Sequence, residues 1–248
     1  MRHVLAVFVV AAVLTSAPAD SQSLGDRAKS LLGSKQQNSG SLTESQAGAG
    51  LKEALAQGAG NAVARLGKTD GFLLDEAVRI GTPKSVRKLT KAARKLGAGA
   101  QVDAFETSMN RAAEQAIPAA ADILSDAVRA MTVEDALAIV RGGDTAGTAY
   151  FRRTSEDSLR AAFLPIVSKS TDSNGVTQSF KAVTRSAGGG MAGSLASMAG
   201  VDSNLDLDQY VTDKALDGLF HYIAEEEKAI RSNPLKRGSD LLKKAFGG

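Results

Sequence analysis

The sequence predicts an all-α fold, on three observations. Apolar residues recur at helical spacing through most of the chain, as in Leu51, Leu55, Ala62, Val63 and Leu66. No stretch alternates apolar and polar residues with the period of two that a half-buried strand requires. Alanine and glycine are abundant, tryptophan is absent and aromatics are 4% of the 248 residues, a composition suited to helices in close contact. Together these predict a single helical-bundle domain of roughly seven to nine helices over residues 46–248, one long helix being kinked at Pro118.

The chain begins Met1-Arg2-His3, runs apolar from Val4 to Leu14 and reaches Ala17-Pro18-Ala19. A basic start, a short apolar run and a small-x-small site predict a secretory signal peptide over 1–19, cleaved after Ala19. The run is shorter than the 18 or so residues of a membrane span. No later stretch is apolar enough, so the expected mature chain has no transmembrane segment. Residues 20–45, rich in Ser, Gln, Asn and Gly, read as a flexible N-terminal segment. The signal peptide predicts an exported, periplasmic protein.

A helix is expected from Gly50, with Gly67 as its terminator, then a turn at Asp70-Gly71-Phe72 and a short connector to Ile80. Thr82-Pro83 reads as a cap followed by proline in the first helical position. The helix it opens, 83–96, is charged by Lys84, Arg87, Lys88, Lys91, Arg94 and Lys95, and no acidic residue occurs between Glu76 and Asp103. At about 100° per residue all these charges share one face, opposite Val86, Leu89, Ala93 and Leu96.

The next helix, from Gln101 to Met131, is interrupted by Pro118. Its first apolar stripe is Val102, Phe105, Met109, Ala112 and Ala116. Past the proline the stripe is Leu124, Val128 and Met131, rotated by roughly 70°. Either Pro118 bends the helix, or Glu106 and Asn110 point into an interior. Thr132 with Asp135 forms a capping-box pattern for a helix to Arg141. Asp144 is expected to cap a short helix through Arg153, and Thr154 with Asp157 to cap another carrying Leu159 and Phe163. Further helices are expected over 176–187, 208–232 and 240–246. The Gly/Ala-rich segment 186–200 reads as a passive loop or a lid; it lacks the Lys-Ser/Thr ending of a phosphate-binding loop.

The absence of cysteine excludes disulfides, thiolate metal sites and a thiol nucleophile. His221 is the one histidine left after cleavage, and with Glu225 at i, i+4 it makes too few ligands for zinc. No cofactor is expected. The net charge of +3 is too small to name a partner, and nucleic acid is a poor fit to an exported chain. The candidate polar network or ligand site comprises Glu106, Asn110, Arg111, Glu114, Tyr150, Arg152 and Glu226, with Glu227 expected to pair with Arg231. These groups suit an internal network, a ligand pocket with a polar end, or carboxylate acid–base chemistry at Glu106 or Glu226. The basic face suits an anionic lipid surface or an acidic envelope protein.

Several blocks, in order, resemble one exported bacterial family. They are Gly50-Leu51-Lys52-Glu53-Ala54-Leu55, Asp70-Gly71-Phe72, Met109-Asn110-Arg111-Ala112-Ala113-Glu114, Tyr150-Phe151-Arg152 and Lys214-Ala215-Leu216-Asp217-Gly218-Leu219-Phe220. Glu226-Glu227 with Ile230-Arg231, and Asp240-Leu241-Leu242-Lys243-Lys244, complete the set. The family is domain of unknown function 4197. The resemblance implies one helical envelope domain and no established activity.

Overall fold

In the computed structural model the described residues are 44–173 and 206–232. The expected signal peptide, most of the N-terminal segment, the helices at 176–187 and 240–246 and the Gly/Ala-rich segment lie outside them. Every regular element among the described residues is helical. They are α1 (Glu44–Leu66), α2 (Arg87–Lys95), α3 (Gly99–Ala116), α4 (Ala120–Ala130), α5 (Val133–Arg141), α6 (Ala146–Ser173) and α7 (Leu207–Ser232). Single 3-10 turns at Lys84–Val86 and Ile117–Ala119 lead into α2 and join α3 to α4.

The longest helices carry the packing. α7 lies against α6, α1 and α3; α6 lies also against α3 and α4; α1 covers α4 and α5. Their shared interior holds Phe72, Phe105, Phe151, Phe163 and Phe220, all essentially inaccessible. Each such ring stabilises the fold by roughly 1.5–3 kcal/mol relative to exposure. Alanines line the close contacts: Ala112, Ala113, Ala116 and Ala120 are fully buried where α3 passes into α4.

Local signals behave unequally. α1 starts at Glu44, inside the segment expected to be loose, and ends just before Gly67, whose N–H bonds to Val63 O at 2.8 Å. The Thr132–Asp135 capping box forms in both directions. Gly97 has φ +87°, a conformation that glycine adopts without strain, and follows the end of α2. The expected start at Thr82-Pro83 is corrected: Pro83 precedes a 3-10 turn, no side chain caps it, and the Thr82 hydroxyl bonds to Glu106 instead. Leu96, assigned to the buried face, is 67% exposed because the helix has ended before it.

The stretch expected as two helices is one, α6, of 28 residues. Thr154 does not cap; its hydroxyl bonds to Tyr150 O, four residues back, at 2.9 Å. Threonine can make this internal bond as well as a cap, so spacing alone does not separate the two. Pro165 is tolerated inside α6 on its exposed side, where the carbonyl of Ala161, also exposed, is open to water.

Candidate functional site

Between α1 and α2 the chain runs through turns from Gly67 to Pro83. α3 holds this connector with polar side chains four residues apart on one face. Glu114 accepts hydrogen bonds from the N–H groups of Phe72 at 3.0 Å and Leu73 at 3.2 Å. Asn110 meets Ile80 twice, accepting its N–H at 2.8 Å and donating to its carbonyl at 2.9 Å. Glu106 accepts from the Thr82 N–H at 3.3 Å and the Thr82 hydroxyl at 2.7 Å. As the connector advances from Phe72 to Thr82, its partners step backward along α3, so the two run antiparallel.

Each anchor has a distinct electrostatic setting. Asn110 is fully buried and Glu114 is 4% exposed. A buried carboxylate needs a counter-charge, and Arg111 supplies one at 2.7 Å while also holding Asp70 at 2.7 Å. The Glu114 hydrogen bond outweighs burial and raises the Arg111 guanidinium above its ordinary pKa. Asp70 has φ +68°, a left-handed conformation uncommon for a side chain other than glycine, and Arg111 fixes it there. Glu106 is half-buried, with Arg79 at 3.4 Å and Arg94 at 3.7 Å.

A second lashing joins α7 to the start of α6. Glu227, 5% exposed, accepts from Gly147 N–H at 2.9 Å, Thr148 N–H at 2.8 Å and the Thr148 hydroxyl at 2.9 Å. Arg231 completes it at 2.9 Å and also donates to Ile139 O. A carboxylate from a distant helix thus satisfies N–H groups that the first turn of α6 leaves open. A Cβ at Gly147 would stand 2.4 Å from Leu55 Cδ2 and 3.2 Å from Glu227 Oε1, so a larger residue there forces those side chains to shift.

A third cluster ties α1 to α7 through the connector. The Tyr222 hydroxyl donates to Asp75 at 2.5 Å, and Arg65 bonds to Asp75 at 2.8 Å while stacking 4.0 Å over the Tyr222 ring. Burial pushes the Asp75 carboxyl up, but the Tyr222 and Arg65 hydrogen bonds overcome it and hold it below the ordinary carboxylate value.

The expected seven-residue site therefore divides. Glu106, Asn110, Arg111 and Glu114 share α3 and the connector. Tyr150 is placed elsewhere: its hydroxyl bonds to Ala127 O on α4 at 3.2 Å. Arg152 is exposed, pairs with Glu156 at 3.2 Å and covers the Phe220 ring at 4.3 Å. Neither reaches Glu106. The buried acid of α7 is Glu227 and not Glu226, which is half-buried and accepts only from Asn61, at 3.1 Å, among the described residues. Glu227 falls four residues after Ile223 and three before Ile230, both buried, so it lies on the line between them. That spacing was the available signal. His221 is exposed, edge-on to Tyr222, and the described residues hold no group of three or more potential metal ligands.

The basic residues of 83–96 are all exposed. Arg94 turns to Asp103 at 2.7 Å as well as to Glu106. Among the described residues Lys84, Arg87, Lys88, Lys91 and Lys95 have no salt-bridge partner.

Fold and site together define an all-helical domain whose interior acids and amide are engaged by its own backbone and arginines. The chain belongs to the family described as protein of unknown function (DUF4197), whose profile matches residues 41–247. No curated protein and no solved structure matches it. The blocks that carry the family resemblance touch one another: Asp70 meets Arg111, Phe72 meets Glu114, and a Cβ at Gly218 would stand 2.7 Å from the Phe72 ring. Among the described residues no helix is long and apolar enough to cross a membrane.

Proposed function

We propose that the protein is an exported, periplasmic binding or interaction module that works without catalysis. One observation carries this reading: Glu106, Asn110, Glu114 and Glu227 direct their hydrogen bonds to backbone groups of this same chain. A general acid or base needs a face open toward a substrate. Glu114 and Glu227 are buried and saturated, and Glu106 already faces Arg79, Arg94 and Thr82. Glu106 and Glu226, the carboxylates that an enzyme would use, stand on different helices and share no partner. The polar interior serves as a set of struts that fix the connector and the start of α6, so that outer surfaces are presented rigidly.

The reading is tested by crosslinking in intact cells followed by mass spectrometry of the adducts, beside a turnover panel of model esters, phosphoesters and glycosides. A reproducible adduct with no turnover is expected. Turnover that Glu106→Gln or Glu226→Gln abolishes while Tm stays unchanged would overturn it. Export is tested separately by intact mass: a mature chain beginning at Asp20 is expected, and a periplasmic fraction lacking the protein refutes it.

A further inference from the structure

We propose that the outer face of α2 and its leading 3-10 turn is a docking surface for the phosphate headgroups of an anionic membrane. Of the carboxylate clusters only Glu106 touches this segment, through Thr82 and Arg94, and the free lysines lie outside them.

The first observation is where unpaired charge collects. Most arginines elsewhere in the described fold hold carboxylates, as Arg65 holds Asp75, Arg111 holds Asp70 and Glu114, and Arg160 holds Asp213, while Arg153 lies over the Tyr150 ring. On α2 the pattern reverses: Lys84, Arg87, Lys88, Lys91 and Lys95 are exposed without a salt-bridge partner among the described residues. No carboxylate interrupts the run between Glu76 and Asp103. Like charges brought this close repel one another, and helix pairs of like charge at i, i+4 are destabilising. Arg87–Lys91 and Lys91–Lys95 are such pairs within α2. An external anion relieves both at once.

The second observation is the mounting. Val86 and Ala93 are fully buried and Leu89 is 5% exposed, so the underside of the helix is committed to the core and the basic side is turned out. Three polar ties fix the segment. The Tyr210 hydroxyl donates to Gly81 O at 2.9 Å, Thr82 holds Glu106, and Arg94 reaches back to Asp103. The charges are therefore offered as a fixed array about 18 Å long, at 1.5 Å per residue over residues 84–95.

The chemistry of the face selects its partner. Protein interfaces depend on aromatic or aliphatic anchors seated in pockets, and this face carries none. Lysines outnumber arginine among its free charges. An ammonium is a point charge that does not demand the fixed fork geometry by which arginine reads a carboxylate or phosphate. A fluid layer of phosphates, in which the anions rearrange to meet a rigid cation array, fits those properties. An individual acidic polypeptide gains less, because it must order itself to match. Leu96, exposed just past α2, is a single apolar side chain and too little to anchor insertion, so binding is electrostatic and at the surface.

Co-sedimentation with vesicles of phosphatidylcholine, with and without phosphatidylglycerol, tests this on the protein as recovered from the cells that export it. Binding is expected only to the vesicles with phosphatidylglycerol, and its loss in about 1 M salt, where the screening length falls to about 3 Å. The triple variant Lys88→Gln, Lys91→Gln, Lys95→Gln is expected to bind on the order of 100-fold more weakly, from the roughly fivefold contribution of each basic residue at such a surface. A control triple, Lys52→Gln, Lys68→Gln, Lys169→Gln, makes the same change in net charge and is expected to stay within about threefold. Equal binding to both vesicles would overturn the proposal. So would two triple variants that weaken binding alike, or tighter binding to polyglutamate than to the phosphatidylglycerol vesicles at matched charge.

Discussion

Replacing Glu114 with alanine leaves the Phe72 N–H buried with no acceptor, leaves the Leu73 N–H partly so, and takes one of two carboxylates from Arg111. An unsatisfied buried donor costs about 1–3 kcal/mol, and opening a buried ion pair about 3–5 kcal/mol. Those two estimates describe overlapping losses, and Arg111 keeps Asp70. The expected destabilisation is therefore about 4 kcal/mol. Glu114→Gln preserves an acceptor for Phe72 but sets an amide against the guanidinium; about 1.5 kcal/mol is expected, from the loss of a charge-assisted hydrogen bond. The chain has no tryptophan, so urea unfolding is followed by far-UV circular dichroism. Amide exchange adds a local readout: Phe72 and Leu73 should lose protection in Glu114→Ala while Ile80, held by Asn110, keeps it. An alanine variant within about 1 kcal/mol of the parent would show that these bonds do not hold the connector. Equal loss of protection at Phe72 and Ile80 would refute the idea of independent anchors.

Glu227→Ala is expected to destabilise by about 3 kcal/mol or more, since it strips acceptors from Gly147, Thr148 and Arg231. Glu226→Ala should stay within about 0.5 kcal/mol; equal urea midpoints for the two would contradict the assignment of the buried acid. Gly218→Ala places a methyl 2.7 Å from the Phe72 ring. The expected overpacking penalty of about 1–3 kcal/mol exceeds the roughly 1 kcal/mol that alanine adds to a helix, so Tm should fall, and a rise would mean that Phe72 has room to move. Asp75 has a depressed folded-state pKa, so its contribution is complete above the unfolded carboxylate's value and disappears as pH falls through the folded one. Tyr222→Phe should therefore cost about 1 kcal/mol at neutral pH, with the difference from the parent closing below about pH 4; a gap constant down to acid would exclude Asp75 as the cause.

Periodicity made the helices legible because their apolar faces are continuous, and the Thr132 capping box because its partners are neighbours in the chain. The basic face was legible for the same reason. Asn110 was flagged by the rotation of the apolar stripe across Pro118, and it is fully buried. What periodicity cannot supply is the partner. The backbone groups that Glu114 and Asn110 satisfy lie 42 and 30 positions away, in a connector with no periodic pattern. Tyr150 and Arg152 were grouped with Glu106 as available donors, yet nearer partners on α4, α6 and α7 take them. The choice between Glu226 and Glu227 turned on which apolar residues define the face. Leu219 favours the first, whereas Ile223 and Ile230 together place the second.

The antiparallel ladder along α3 makes the connector's path a transcript of that helix's register. One residue inserted between Glu106 and Glu114 would swing the downstream anchor by about 100° and separate Glu114 from Phe72 while Glu106 still faced Thr82. The same insertion at Gly143, where a Cβ would meet nothing within 4 Å, leaves every rung in place. Length is therefore fixed along α3 more strictly than composition is. Related chains should accept gaps at the turn before α6 and exclude them between the rungs.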